Sequence, residues 1–134
     1  GGYGFRHHIP ERDGILSGLY ILEYMTVTGK TPSQLVEHLF DRVGAHYFHR
    51  RDVDFRAEDR DKIQEKVNNP ALDCIGEFVV VGSDNIDGRR LHFEDGWIAA
   101  RFSGTEPLLR IYAEANSPEN VTKMLDAASE YLGV

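Results

Sequence analysis

Ten residues, Arg-Phe-Ser-Gly-Thr-Glu-Pro-Leu-Leu-Arg, run from Arg101 to Arg110 and set a guanidinium on either side of a short turn. The turn carries hydroxyls at Ser103 and Thr105, with Gly104 between them. These residue types suit a phosphate. A phosphate dianion accepts hydrogen bonds from several directions, and the planar fork of arginine matches its oxygens in pairs. Each hydrogen bond to a charged group contributes about 1.5–3 kcal/mol, so two arginines and a few loop donors are enough to hold one. Gly104 lets the backbone approach a ligand closely or expose successive N–H groups as an anion nest, and Pro107 stiffens the exit. The same residues also fit a plain hairpin with solvated charges, because arginine is common beside turns. Spacing alone leaves both readings standing.

The flanking runs must position those groups. In the strand 97–102, alternation places Trp97, Ala99 and Arg101 on one face and Ile98, Ala100 and Phe102 on the other. In the return strand, Arg110, Tyr112 and Glu114 oppose Leu109, Ile111 and Ala113. Both arginines therefore reach the mouth of the turn. Trp97 is expected in the core.

The bulk charge makes any anion site a local affair. Fifteen Lys and Arg against 22 Asp and Glu leave 134 residues with a net charge of −7, so no global field draws in nucleic acid or anionic lipid. The lone cysteine, Cys74, excludes an intrachain disulfide, fits a reducing, cytoplasmic location and is expected as a small buried hydrophobe. No His/Cys spacing suggests zinc, and no apolar run approaches the roughly 20 residues of a membrane span. The opening Gly-Gly-Tyr-Gly-Phe, without methionine, has the look of a cut piece.

Along the chain, a glycine-rich loop ends in Arg6, His7 and His8, and Pro10 suits the first turn of a helix over about 11–27. Thr31, Pro32 and Gln34 spell a capping box for a second helix carrying Leu35, Val36, Leu39, Phe40 and Val43 up to Gly44. Residues 45–55 read as an extended segment or edge strand leading out of the first part. A third helix spans about 57–67, with Ile63 and Val67 inward and a solvated charged face, and Asn68, Asn69 and Pro70 stop it. Four strand candidates follow, in 77–82, 89–95, 96–104 and 108–115, and Ser117 caps a last helix. Residues 56–134 thus form a complete α+β unit, a four-stranded, mostly antiparallel sheet with two helices. Residues 1–55 supply two helices, whose apolar faces need a sheet or a partner, and a linker; exposed, such faces favour self-association.

The segment 101–110 resembles the phosphate-binding signature Arg-x-Ser-Gly-Thr-Glu-Pro-x-x-Arg of the α-D-phosphohexomutase superfamily, and residues 1–19 resemble the stretch after the sugar-recognition loop of phosphoglucomutases and phosphomannomutases. The two occur in the family's order and together cover essentially the whole chain. The resemblance implies that 1–55 is the helical end of an α/β third domain plus linker, and that 56–134 is the fourth domain, a TATA-binding-protein-like sheet flanked by helices. It implies that Arg101, Ser103, Gly104, Thr105 and Arg110 hold the non-transferring phosphate of a hexose phosphate. Arg12 matches the place of a basic residue near the reacting groups, with pairing to Glu11 or Asp13 as its alternative role; His8 is a second, weaker match. His7 is expected in solvent, and His38, His46, His49 and His92 at the surface or in packing.

The family interconverts hexose 1-phosphate and hexose 6-phosphate through an active-site phosphoserine. Its phosphoserine loop and magnesium-binding aspartates are not in these residues, and Gly1 and Gly2 are at most the tail of the sugar-reading loop. The resemblance implies Mg2+ and a hexose 1,6-bisphosphate activator for the full-length enzyme and no cofactor on this chain, with the preceding domains as its partner. Alone, the chain is expected not to catalyse and at most to bind a phosphate weakly. Residues 8–14 look more like the glucose/mannose mutases than the glucosamine branch. The rival is a stand-alone regulatory module that senses a phosphorylated metabolite; several hundred upstream residues with a phosphoserine loop would exclude it.

Overall fold

The computed structural model describes residues 2–104 and 106–134. The chain divides into two compact units, Gly1–Gly44 and Ala45–Val134.

The first unit is helical. Helix α1 spans Gly14–Thr28 and α2 spans Pro32–Val43. Helix α1 begins three residues later than the apolar spacing suggests, because Asp13 is the N-cap and accepts from the Leu16 N–H at 2.8 Å; Pro10 lies in the preceding loop. Helix α2 has the expected box. Thr31 accepts from the Gln34 N–H while the Gln34 side chain accepts from the Thr31 N–H, which satisfies two otherwise orphaned donors. Neither helix buries a residue: Ile15 is 81% exposed and Val27 78%.

The second unit is built on a five-stranded antiparallel sheet of order β1-β7-β6-β5-β4, with a separate hairpin of β2 and β3. The strands are β1 Tyr47–Asp54, β2 Cys74–Ile75, β3 Phe78–Val79, β4 Gly82–Asp84, β5 Arg89–Phe93, β6 Gly96–Phe102 and β7 Leu108–Ala115. A 3-10 turn at Ala57–Asp59 leads into α3, Arg60–Val67, and α4 spans Pro118–Leu132 behind the Ser117 cap. Alternation along β7 sends Leu109, Ile111, Ala113 and Ala115 inward. They pack with Val121, Met124, Leu125, Ala128 and Leu132 of α4 and with Ile63 and Val67 of α3. The ends of the helices are joined too: Lys66 Nζ donates to the Tyr131 and Leu132 carbonyls at 2.9 and 3.2 Å, which serves acceptors left over at the α4 terminus.

The structure departs from the sequence expectations at several points. Residues 47–54, placed with the first part and its linker, pair along their whole length with β7 and make a fifth strand. Arg51 fastens that strand to α4 through Asp126 at 2.7 Å and Ser129 at 3.1 Å. The candidate strand at 77–82 is divided between β3 and β4, which belong to different sheets. Cys74 is exposed, because in the two-residue β2 the inward position falls to Ile75. Trp97 lies outside the core, since its register partners Glu114 and His92 share the face turned away from the helices.

Three substitutions probe this packing. Leu109, with no exposed surface, should cost about 2–5 kcal/mol on replacement by alanine, read by urea denaturation, while Val79→Ala at the surface should stay within about 0.5 kcal/mol. Gly96→Ala should also destabilise, because its Cβ would stand 2.1 Å from the Glu114 carbonyl oxygen across the β6–β7 pair.

Candidate functional site

The β6–β7 register puts Arg101 directly opposite Arg110. Both belong to the outer face of the sheet, away from α3 and α4, because Ala100 and Ile111 next to them are in the core. Cross-strand neighbours of this kind have Cβ atoms about 4.5–5.5 Å apart, and like charges there repel. Nothing in the register forces that arrangement to be comfortable, so the surroundings of the two guanidinium groups decide what it is for.

Those surroundings are unequal. Arg101 is exposed, and its Nη1 donates to Asp87 Oδ2 at 3.0 Å. Arg110 is half-buried, and its Nε is shielded from solvent with no hydrogen-bond partner among the described residues. Its other cross-strand neighbour is Asp52, yet Asp52 pairs with Arg50 Nε at 2.8 Å instead. A buried donor without a partner is costly. Only Arg89 Nε shares that condition among the described residues, and Arg89 is registered with Ala100 on the core side.

The turn closes the site. The Ser103 N–H donates to the Leu108 carbonyl at 2.8 Å, and the Leu108 N–H to the Glu106 carbonyl at 2.8 Å. The Phe55 N–H reaches the Pro107 carbonyl at 3.2 Å, so the strand β1 leaves the sheet against the exit of the turn. Ser103 is buried, and Gly104 is exposed with open space where a side chain would be. Of the expected phosphate ligands, Arg101, Ser103, Gly104 and Arg110 thus lie around one turn mouth, while Thr105 lies outside the described residues.

Arg12 and His8 belong to the first unit. His8 Nε2 lies 2.8 Å from Asp13 Oδ2. The Leu16 N–H and that histidine together hold the Asp13 carboxyl below its ordinary pKa. The Arg12 N–H donates to Glu11 Oε1 at 2.8 Å, and its side chain packs against Gly2, where an added Cβ would come 2.4 Å from Arg12 Cδ. The Arg12 guanidinium makes no ion pair with Glu11 or Asp13 among the described residues.

The sequence reading missed a charged cluster on the same sheet face. Asp84 Oδ2 is 2.8 Å from both His92 Nε2 and Arg90 Nε, and Asp84 Oδ1 accepts from the Ile86 N–H. The Arg90 guanidinium lies 5.7 Å above the centre of the Trp97 ring, a distance at which the ring face attracts the cation. Among the described residues no three His, Cys, Asp or Glu side chains come together as a metal site.

Family models match the chain in two adjoining blocks. Residues 1–43 match the phosphoglucomutase/phosphomannomutase alpha/beta/alpha domain III, and residues 54–130 match the phosphoglucomutase/phosphomannomutase C-terminal domain. The chain belongs to the phosphoglucomutase/phosphomannomutase family. Over 98% of its length it is 31% identical to a phosphoglucomutase/phosphomannomutase of Thermococcus kodakarensis. A phosphoglucosamine mutase of Methanocaldococcus jannaschii is 31% identical over 85% of the chain, and a phosphoglucomutase of Komagataeibacter xylinus 33% over 78%. The chain spans 27%, 24% and 20% of those three relatives. A crystal structure of a candidate phosphomannomutase from Thermus thermophilus superposes with a TM-score of 0.74 at 30% identity, covering all of this chain and 25% of that one. As a piece of a phosphohexomutase, the chain carries residues that match domain III followed by residues that match the C-terminal domain.

The acid limb of stability tests the Asp84 cluster. Hydrogen bonds from His92 and then Arg90 pull the Asp84 carboxyl from 3.8 to about 2. A carboxyl depressed in the fold adds stability above its ordinary pKa and loses it as pH falls through the folded value. The urea midpoint of the wild type should therefore drop more steeply between pH 4 and pH 2 than that of Asp84→Asn; parallel curves would show that the cluster contributes nothing to holding β4 on β5.

Proposed function

We propose that this chain is the phosphate-gripping end of a mutase that interconverts hexose 1-phosphate and hexose 6-phosphate. The observation that carries the reading is the facing pair Arg101 and Arg110 at the mouth of the Ser103–Gly104 turn, with the Arg110 Nε buried and without a partner among the described residues. An anion lying between the two guanidinium groups would relieve their repulsion and supply the missing acceptor in one step. Ser103, Gly104 and Thr105 would close on the remaining oxygens. This grip holds the phosphate that is not being transferred.

Such an anchor suits the reaction. Phosphoryl transfer depends on placement and electrostatics. A mutase of this kind phosphorylates its substrate from a phosphoserine, lets the bisphosphate turn end for end, and takes back the other phosphate. The anchor must therefore accept either end of the sugar. Arg12 would stand near the reacting groups, and His8, oriented by Asp13, would brace the loop that carries it. The sequence holds no phosphoserine loop, and no group of three His, Cys, Asp or Glu side chains that could hold a metal occurs among the described residues. Mg2+ and a hexose 1,6-bisphosphate activator belong to the proposal for the whole protein, as do the preceding domains as partners. No described helix is long and apolar enough to cross a membrane; a cytoplasmic location is part of the same proposal. So is self-association of this chain alone, through the apolar residues that α1 and α2 leave exposed.

The experiment is a pair of substitutions in the full-length protein. Arg110→Ala and Arg101→Ala should each weaken binding of glucose 1-phosphate about tenfold or more, as expected for lost charge-assisted hydrogen bonds, with thermal unfolding little changed. Unaltered affinity in both variants would remove the clamp. Retained binding by a full-length protein with no mutase activity would instead favour the non-catalytic regulatory module.

A further inference from the structure

The turn between β4 and β5 carries a carboxylate to the clamp. Asp87 Oδ2 accepts from Arg101 Nη1, and its side chain is 72% exposed. This is the one hydrogen bond its carboxylate makes among the described residues. Asp84, three residues earlier, is held quite differently, by His92, Arg90 and the Ile86 N–H. Asp87 reaches Arg101 because the turn is pressed onto β6. Gly88 has φ 87°, and a Cβ there would stand 2.6 Å from the Ala100 carbonyl oxygen and 3.3 Å from Arg101 Cβ. The backbone is thus set firmly beside Arg101 while the carboxylate itself is tethered by a single exposed contact.

We propose that Asp87 is a built-in competitor of the ligand, occupying Arg101 until a phosphate ester displaces it. This rests on the clamp reading above. A carboxylate meant to support an arginine beneath a bound anion would be fixed by further hydrogen bonds, as Asp84 is, and Asp87 has none among the described residues. An exposed ion pair of this sort is weak but not without effect, so it holds Arg101 in the absence of ligand and yields to a phosphate with more charge and more acceptor oxygens. Arg110 has no such internal anion among the described residues. The ligand-free clamp is therefore half closed, one arginine engaged and the other waiting. For an anchor that must release one end of a sugar bisphosphate and grip the other, a resident competitor keeps the phosphate from being held too long.

The test is calorimetric titration of the full-length protein with glucose 1-phosphate. Asp87→Asn should tighten binding about two- to fivefold. In an Arg101→Ala background the same substitution should change affinity less than about twofold, since there is no guanidinium left to compete for. Three results would overturn the inference: no change, weaker binding in Asp87→Asn, or an equal gain with and without Arg101. The first two would make Asp87 a bystander or a support, and the third a general charge effect. Arg110→Ala separates this from the parent reading. If it weakens binding while Asp87→Asn does nothing, the clamp stands and the competitor falls; if neither arginine matters, both fall together.

Discussion

Two like charges face each other across adjacent strands, and the rest of the second unit is what keeps them there. Opposed guanidinium groups on neighbouring strands repel by a few tenths of a kcal/mol to about 1 kcal/mol. The opposite face of the same strands outweighs that cost. Leu109 and Ile111 are wholly buried, and Met124 and Leu125 of α4 close over them. Burying each such side chain stabilises by roughly 1.5–3 kcal/mol, so the register is set by the core and imposed on the arginines. The period of two does the rest. Burial of Leu109, Ile111 and Ala113 places Arg110 and Arg101 on the other face, and the observed pairing sets them side by side at the turn.

That coupling explains why the placement of the two arginines could be read from sequence. The apolar alternation of 97–102 and 108–115 settles the faces, and the short Ser-Gly-Thr-Glu-Pro connection settles the pairing, so both arginines follow from local pattern. Capping was equally legible at Thr31 and Ser117, where side chain and partner lie within three residues. At Asp13 a cap was overlooked because Pro10 offered a competing start three residues upstream.

What local pattern missed depends on contacts far apart in sequence. The edge strand anticipated within 45–55 is present at 47–54, but half of its positions are charged and nothing local assigns it to the second unit; it joins the sheet through β7, some sixty residues later, and through Arg51 on α4. Asp87 meets Arg101 across a 14-residue separation, and no spacing rule announces it. Trp97 is the instructive case. Alternation already put it on the face of Arg101, yet its size suggested the core; in the fold it serves as a platform for Arg90 and a neighbour of Phe48, whose ring centre is 6.2 Å away. Cys74 repeats the lesson on a smaller scale, with Ile75 taking the inward position.

Under the proposed function, Arg110 Nε, buried and without a partner among the described residues, is held ready for a phosphate oxygen. The most direct measurement is the arginine side-chain N–H spectrum of the full-length protein, with the Arg110 resonance assigned by substitution, during titration with glucose 1-phosphate and with free glucose as control. The account requires a saturable downfield shift and slower solvent exchange of the Arg110 Nε–H with the phosphate ester, and none with glucose. An unmoved Arg110 resonance at saturating ester would mean that the phosphate is bound elsewhere and that the facing arginines are only a charged hairpin.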